Sequence, residues 1–298
     1  MRCALLLVAV LATPAFADDP KFTYGKQEDV AKVKGTEWTA TAEAGLIATT
    51  GNSETTTITG GFHVTRKTGE NKLSAEGSIA YAKTGLLVLD DKNGNGQIDN
   101  LSELTTQETT TAETLGGKLR YDRFLTNNNS LYIAAIGARD VPAGKDYDLG
   151  GQVGYSRELW KEKTSEAVAE IGYDYTREKP VTGSGVSIHS IRTFLGFKGQ
   201  MTEGTTLEAN GELLSNLNRE TLVTGQDGGA FEDTRFNGKL AITAKIGKNL
   251  AAQTAIEVHY DHRPAPLVVK NFMLAMGFVP PAQALDTIMK VQIIYTFF

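Results

Sequence analysis

The sequence predicts an all-β protein, a transmembrane antiparallel up-and-down β-barrel of about 12 strands. Three observations point there. The stretch from Asp286 to Phe298 alternates with period two: Met289, Val291, Ile293, Tyr295 and Phe297 share one face, with Lys290, Gln292 and Thr296 among the residues between. Similar segments recur from Thr36 onward, most near the ten residues that cross a bilayer at a tilt. The links between them alternate between tight and long, as in barrels with short periplasmic turns and longer external loops. A soluble β-sandwich, the other all-β solution, has no reason to sort its loops by side. It would also leave the apolar last strand as an exposed edge.

Residues 1–17 read as a secretory signal peptide. Arg2 is the positive start, Ala4 to Ala12 a short apolar core, and Ala15-Phe16-Ala17 a small-x-small cleavage site. Residues 18–35 are expected to form a polar periplasmic lead, and 36–298 the barrel. No apolar run has the length of a membrane helix, so any crossing falls to strands. Cys3 is the only cysteine and lies within the signal, which leaves the mature chain without disulfide or thiolate chemistry. A formal net charge of −5 argues against nucleic acid as a partner.

The strands follow in order. The first carries Trp38, Ala40, Ala42, Ala44 and Leu46 and turns at Gly51-Asn52-Ser53. The second has Ile58, Gly60, Phe62 and Val64, the third Leu73, Ala75, Gly77, Ile79 and Tyr81. A long polar segment, Gly85 to Leu104, separates it from the fourth, with Leu115, Gly117, Leu119 and Tyr121. The fifth, Leu131 to Ala138, is apolar on both faces. The sixth shows Leu149, Gly151, Val153 and Tyr155, the seventh Ala167, Ala169, Ile171, Tyr173 and Tyr175. The eighth has Ile191, Thr193, Leu195 and Phe197; the ninth Leu207, Ala209, Gly211 and Leu213. The tenth runs from Phe236 through Leu240 to Ile246, and the eleventh from Leu250 through Ile256 to Tyr260. The twelfth is the closing stretch, expected to pair with the strand at Glu37 to Ile47. Phe297 is expected on the lipid face and Phe298 toward the periplasmic rim.

Three segments carry a family resemblance. They are Thr49-Thr50-Gly51-Asn52-Ser53-Glu54-Thr55-Thr56, Leu119-Arg120-Tyr121-Asp122-Arg123-Phe124-Leu125-Thr126, and Ala138-Arg139-Asp140 with Asp146-Tyr147-Asp148-Leu149-Gly150 and Val153-Gly154-Tyr155. Together, over roughly Trp38 to Phe298, the chain is similar to the family of salt-induced outer membrane proteins, a domain family of unknown function. The resemblance implies an outer-membrane β-barrel of a Gram-negative cell. It brings no activity and no catalytic residues. It also implies that the insertion machinery reads the C-terminal strand. Outer-membrane lipid and lipopolysaccharide are the other expected partners, and a monomer the expected state.

With the apolar residues facing lipid, their neighbours face the lumen. Strand seven then points Glu166, Glu170 and Asp174 inward; strand eight Arg192 and Lys198; strand nine Glu208 and Glu212; strand ten Arg235, Lys239 and Lys245; strand eleven Glu257 and Asp261. The sign alternates from strand to strand, so opposite charges meet across neighbours. Unpaired charges in a narrow lumen are costly. The expected interior is therefore narrow or filled by ion pairs; a small-solute, porin-like channel is the alternative.

Asp91-Lys92-Asn93-Gly94-Asn95-Gly96-Gln97-Ile98-Asp99 matches the first nine positions of a calcium-binding loop. Oxygen ligands would come from Asp91, Asn93, Asn95, Gln97 and Asp99, with Glu103 one residue late for the usual closing carboxylate, and Ca²⁺ is the favoured ion. No enzymatic activity is expected. Ser187 and His189 share a face near the external end of strand eight, the one arrangement that suggests a lipid-modifying enzyme, but nothing nearby supplies a third member. The segment 267–279 is too apolar for a free external loop and is expected to form a lid or membrane contact.

Overall fold

The computed structural model is a closed antiparallel barrel of twelve long strands. It describes residues 35–49, 54–89, 104–141, 144–181, 184–221, 227–264 and 284–297. The expected signal peptide and polar lead, the Asp91 to Glu103 motif, the 267–279 segment and Phe298 lie outside the described residues. The elements are β1 (Thr36–Thr49), β2 (Glu54–Thr68), β3 (Asn71–Leu89), β4 (Leu104–Thr126), β5 (Asn129–Asp140), β6 (Lys145–Lys161), β7 (Ser165–Pro180), β8 (Val186–Thr202) and β9 (Thr205–Asn216). There follow a two-residue pair, β10 (Glu220–Thr221) and β11 (Asp227–Gly228), then β12 (Thr234–Lys245), β13 (Leu250–Asp261) and β14 (Leu285–Thr296). Apart from the β10–β11 pair, each strand bonds to its neighbours in the chain, and β14 returns to β1.

The wall is inside-out relative to a soluble protein. Leu115, Ile133, Leu195 and Val291 point outward and are 58%, 60%, 61% and 65% exposed. The buried positions are mostly polar: Lys72, Glu76, Lys118, Arg120, Asp122, Glu170, Asp174 and Arg192 all face the lumen. Such a surface is stable only in hydrocarbon, where strands must also close on themselves to satisfy their backbone. Aromatic residues mark the band. Trp160 and Phe197, with centroids 6.3 Å apart, sit at the turn end, and Tyr173 and Tyr175 pack on His189 at the loop end. The pair Ala167–Phe197 lies ten residues from Arg177–Ser187 along β7, about 25 Å at the usual tilt, which is the height of an outer-membrane apolar band.

One rim carries tight turns. Between β2 and β3 only Gly69 and Glu70 intervene, and Gly69 has φ 54°, a left-handed conformation that glycine adopts without strain. The other rim carries the longer links. The expected boundaries err there in one place: the segment from Gly85 is not all loop. β3 runs on to Leu89 and β4 begins at Leu104, with Gly85 to Leu89 paired to Leu104 to Glu108. The paired hairpin stands above β5, whose contact with β4 ends at Thr114–Asp140. A second difference concerns closure. The last strand does not pair along the whole of Glu37 to Ile47; β14 meets β1 only from Thr41–Thr296 to Ala44–Ile293. Phe297 adds one bond, its N–H to the Ala40 carbonyl at 3.0 Å, and its ring meets Tyr295 edge-on at 5.0 Å on the outer wall.

Glycines make room inside the wall. A Cβ on Gly154 would fall 2.6 Å from the Tyr132 hydroxyl and 2.6 Å from the Ile171 carbonyl oxygen; on Gly172 it would lie 2.8 Å from the same hydroxyl. Tyr132 therefore lies flat across β6 and β7. Gly154→Val should cost about 1–3 kcal/mol through overpacking. Gly117→Ala, whose Cβ meets nothing closer than 3.6 Å, should fold normally. Urea titrations read by the heat-modifiable gel shift compare the two.

Candidate functional site

The lumen holds the chemistry of this chain, in two tiers of ion pairs that join non-adjacent strands. The central tier is built on Glu170 of β7. Its carboxylate accepts from Arg120 Nη2 at 2.8 Å and from Arg192 Nη1 at 2.7 Å, with no side-chain exposure. Arg120 also grips Asp122 at 2.5 Å, and Arg192 reaches Glu212 of β9 through its Nε. Arg192 donates a further bond to the Tyr132 hydroxyl at 2.9 Å, and the Arg120 guanidinium lies 3.9 Å above the Tyr132 ring. β5 and β6 separate β4 from β7 in the wall, so the Arg120–Glu170 pair reaches past two strands. Tyr132 on β5 fills the space beneath it, which is why Gly154 and Gly172 are needed there.

The second tier lies at the loop end. Glu178 of β7 takes Arg235 at 3.0 Å and Lys145 at 3.6 Å. Arg235 also meets Asp233 at 3.0 Å and Asp261 at 3.6 Å, and Lys145 meets Asp148 at 3.5 Å. β8 and β9 stand between β7 and β12, so this tier also reaches past two strands. Asn216, fully buried, secures the adjoining link: its side chain donates to the carbonyls of Asn218 and Gly229 and accepts from the Asp233 N–H, each at 2.9 Å.

The expected inward residues on β7, β8, β9, β12 and β13 fall on the lumen face, but simple ladders of directly opposed charges describe only part of the network. Lys198 stands directly opposite Glu166 and Glu208, Lys239 opposite Glu257, and Arg235 opposite Asp261. In the central tier Phe194 occupies the position opposite both Glu170 and Glu212. Arg192 therefore reaches both carboxylates diagonally. The cations of β3 and β4, Lys72, Lys118 and Arg120, were not among the expected inward charges. The phase set by Leu115, Leu119 and Tyr121 already placed Lys118 and Arg120 on the opposite face.

The Tyr121-Asp122-Arg123-Phe124 segment acts on both sides of the wall. Outside, Tyr121 donates to Asn71 Oδ1 at 2.6 Å, Arg123 donates to the same oxygen at 3.0 Å and pairs with Glu70 at 2.9 Å. The Phe124 N–H bonds the Glu70 carbonyl at 2.9 Å. The segment thus clamps the β2–β3 turn while Asp122 holds Arg120 within. Ser187 and His189 do share the outer face, but each takes partners on β7: Ser187 accepts from Arg177 at 3.0 Å, and the His189 ring bonds the Tyr173 hydroxyl. Both are thus engaged with β7 on the outer wall. His63 joins the lumen network, 2.8 Å from Thr65 Oγ1 and 3.5 Å from Glu76.

A family model described as "Protein of unknown function, DUF481" matches residues 42–279. The chain belongs to this family. No curated protein matches the chain. Among solved structures it is similar to the NanC porin, at 10% identity and a TM-score of 0.44, over 86% of this chain and 98% of that one. It is similar also to the translocator domain of the autotransporter NalP from Neisseria meningitidis, at 13% identity, a TM-score of 0.41, and 91% and 92% coverage. An anion-selective porin from Comamonas acidovorans shows 10% identity, a TM-score of 0.37, and 88% and 99% coverage. What this lumen can do follows from its own side chains.

Removing a carboxylate that two buried guanidiniums share leaves both undercompensated. Glu170→Gln should lower the unfolding free energy by about 3–5 kcal/mol. Lys83→Ala, which breaks a 3.4 Å pair to Glu108 between exposed side chains, should leave the urea midpoint unchanged.

Proposed function

We propose that this protein is an integral outer-membrane β-barrel whose lumen is constricted by its own ion pairs, rather than an open general-diffusion pore. The observation that carries this is the Glu170 side chain. It faces the lumen, where an open channel would bathe it in water, yet it has no solvent exposure and lies between Arg120 and Arg192, themselves 4% and 1% exposed. Porins with wide aqueous channels use 16–18 strands, and a barrel of twelve encloses less room. The tight turns face the periplasm and the long links the exterior, in keeping with an outer-membrane barrel. A structural, stress-related role accords with the resemblance of the chain to salt-induced outer membrane proteins. Reconstituted in planar bilayers, the protein should show no conductance in the nanosiemens range; a stable nanosiemens pore would overturn the reading. The Arg120→Ala/Asp122→Ala/Glu170→Ala/Arg192→Ala/Glu212→Ala variant, which removes the charges of the central tier together, should conduct measurably more.

We propose also that the link after β3 binds calcium through Asp91, Asn93, Asn95, Gln97 and Asp99, with Glu103 as the closing carboxylate. The strands on either side support this, because the pairing of Leu89 with Leu104 brings the ends of the loop together before any ion is bound. Such preorganisation lowers the entropy cost of closing the loop on a cation. Isothermal titration should give a Ca²⁺ heat at millimolar concentration or below, abolished by Asp91→Ala/Asp99→Ala; no heat from the wild type would remove the site.

A further inference from the structure

The outer wall changes character over a few residues where β7 and β8 approach the loop end. Their outward residues stand directly opposite one another: Ala169–Leu195, Ile171–Thr193, Tyr173–Ile191, Tyr175–His189 and Arg177–Ser187. The lower pairs are mostly apolar, with Ile171 51% and Leu195 61% exposed. The upper two are polar. Arg177–Ser187 stands about 25 Å above Ala167–Phe197, the height of the apolar band. The polar strip therefore lies at the headgroup depth of the loop-side leaflet, on the face that meets lipid.

Its side chains are held in place. The Arg177 guanidinium lies over Gly185, where a Cβ would fall 3.1 Å from Nη2 and 3.2 Å from Nε. Nη1 donates to Ser187 Oγ at 3.0 Å, and the Tyr175 hydroxyl stands 3.4 Å from the same oxygen. The His189 ring packs on Tyr173 and Tyr175, with centroids 6.0 and 5.1 Å away, and its Nδ1 bonds the Tyr173 hydroxyl. With that hydroxyl as donor, the imidazole hydrogen is on Nε2. Asn218 fixes the backbone of β8 here, donating to the Ser187 carbonyl and accepting from the His189 N–H, each at 2.9 Å. The strip thus offers donors: guanidinium nitrogens, a hydroxyl and an imidazole N–H. Among the described side chains the partner of the Arg177 guanidinium is the neutral Ser187 hydroxyl rather than a carboxylate. Its neighbour across β6 is Leu149, apolar and 55% exposed.

An uncompensated cation fixed against the wall at this depth selects an anion that the leaflet itself brings there. A guanidinium beside a hydroxyl matches the oxygens of a phosphate, and charge-assisted bonds of this kind are the strong ones. We infer that the strip binds the phosphate of a lipid headgroup in the loop-side leaflet. On the outer-membrane reading that leaflet is the outer one, and the lipid is a phosphorylated glycolipid of the lipopolysaccharide type. Arg177 and Ser187 take the phosphate oxygens, His189 adds its Nε2–H, and the acyl chains lie down the wall over Leu149, Ile171 and Leu195. The inference rests on the outer-membrane reading and is independent of how constricted the lumen is.

Native mass spectrometry of the folded protein in detergent, titrated with bisphosphorylated lipid A, tests this. The wild type should retain the lipid, and Arg177→Ala should bind it at least about tenfold more weakly, as loss of a charge-assisted pair requires. Lys83→Ala removes another exposed cation, one already paired with Glu108, and should bind like the wild type. Lipid A stripped of both phosphates should bind the wild type as weakly as intact lipid A binds Arg177→Ala. Inorganic phosphate at the concentration of the lipid should displace nothing. Wild-type affinity in Arg177→Ala, equal weakening by Lys83→Ala, equal retention of the dephosphorylated lipid, or displacement by inorganic phosphate would each overturn the site. The heat-modifiable gel shift confirms that each variant is folded. A protein that shows no such shift and does not enter lipid vesicles would overturn the outer-membrane reading itself, whereas an inserted barrel indifferent to the phosphates overturns this site alone.

Discussion

Backbone groups that face hydrocarbon must be bonded to the protein itself, and the rest of this structure follows from that constraint. It forces strands to close on themselves, and the pleat then sorts side chains by parity. On β7 the residues Ile171, Tyr173 and Tyr175 go to lipid, and Glu170, Asp174 and Glu178 go inside. The same alternation operates on every charged strand, so a barrel of twelve collects many charges in a small space. Charges removed from water are stable only when paired and bonded. The constraint on the wall thus becomes a constraint on the lumen, and Glu170 is where it is tightest.

Much of this was legible in the sequence. Outward and inward faces, the number of barrel strands, the sorting of turns from links and the alternation of sign from β7 to β13 all follow from period-two patterning. The partners did not. Which carboxylate a guanidinium takes depends on reach, stagger and the size of the directly opposed residue. Phe194 diverts Arg192 to two diagonal partners, and Arg120 passes two strands to find Glu170. No local pattern encodes either. The β3–β4 hairpin was missed for another reason. Thr105, Thr106 and Thr109 to Thr111 favour strands as β-branched residues, but polar threonines give no apolar alternation to read. The extent of the seam was invisible because closure joins residues at opposite ends of the chain.

The resemblance pointed to Tyr121-Asp122-Arg123-Phe124 without saying what it does. In the structure its alternate residues serve opposite faces, which explains why the segment is compact and unusual in composition. Tyr121 and Arg123 fix the turn at Gly69-Glu70 from outside, and Asp122 orients Arg120 from inside. A change at one position would therefore be felt across the wall. The association with a structural motif, rather than with a reactive group, accords with a lumen organised for packing.

Both tiers of lumen-side bonds converge on β7, and they tie β4, β8, β9, β6, β12 and β13 to it. None of the tier bonds described above involves β1. It is held by β2 on one side and by four residue pairs with β14 on the other, reinforced by the Glu43–Gln292–Gln253 clip. Local opening favours regions with few bonds to break. The wall at this seam is therefore where the barrel is expected to yield first. On the proposed reading of a constricted lumen, the Arg120–Glu170–Arg192 cluster lies on the side of the barrel away from this seam. The tiers hold β7 and its neighbours together, so local opening is expected first at the edge between β1 and β14.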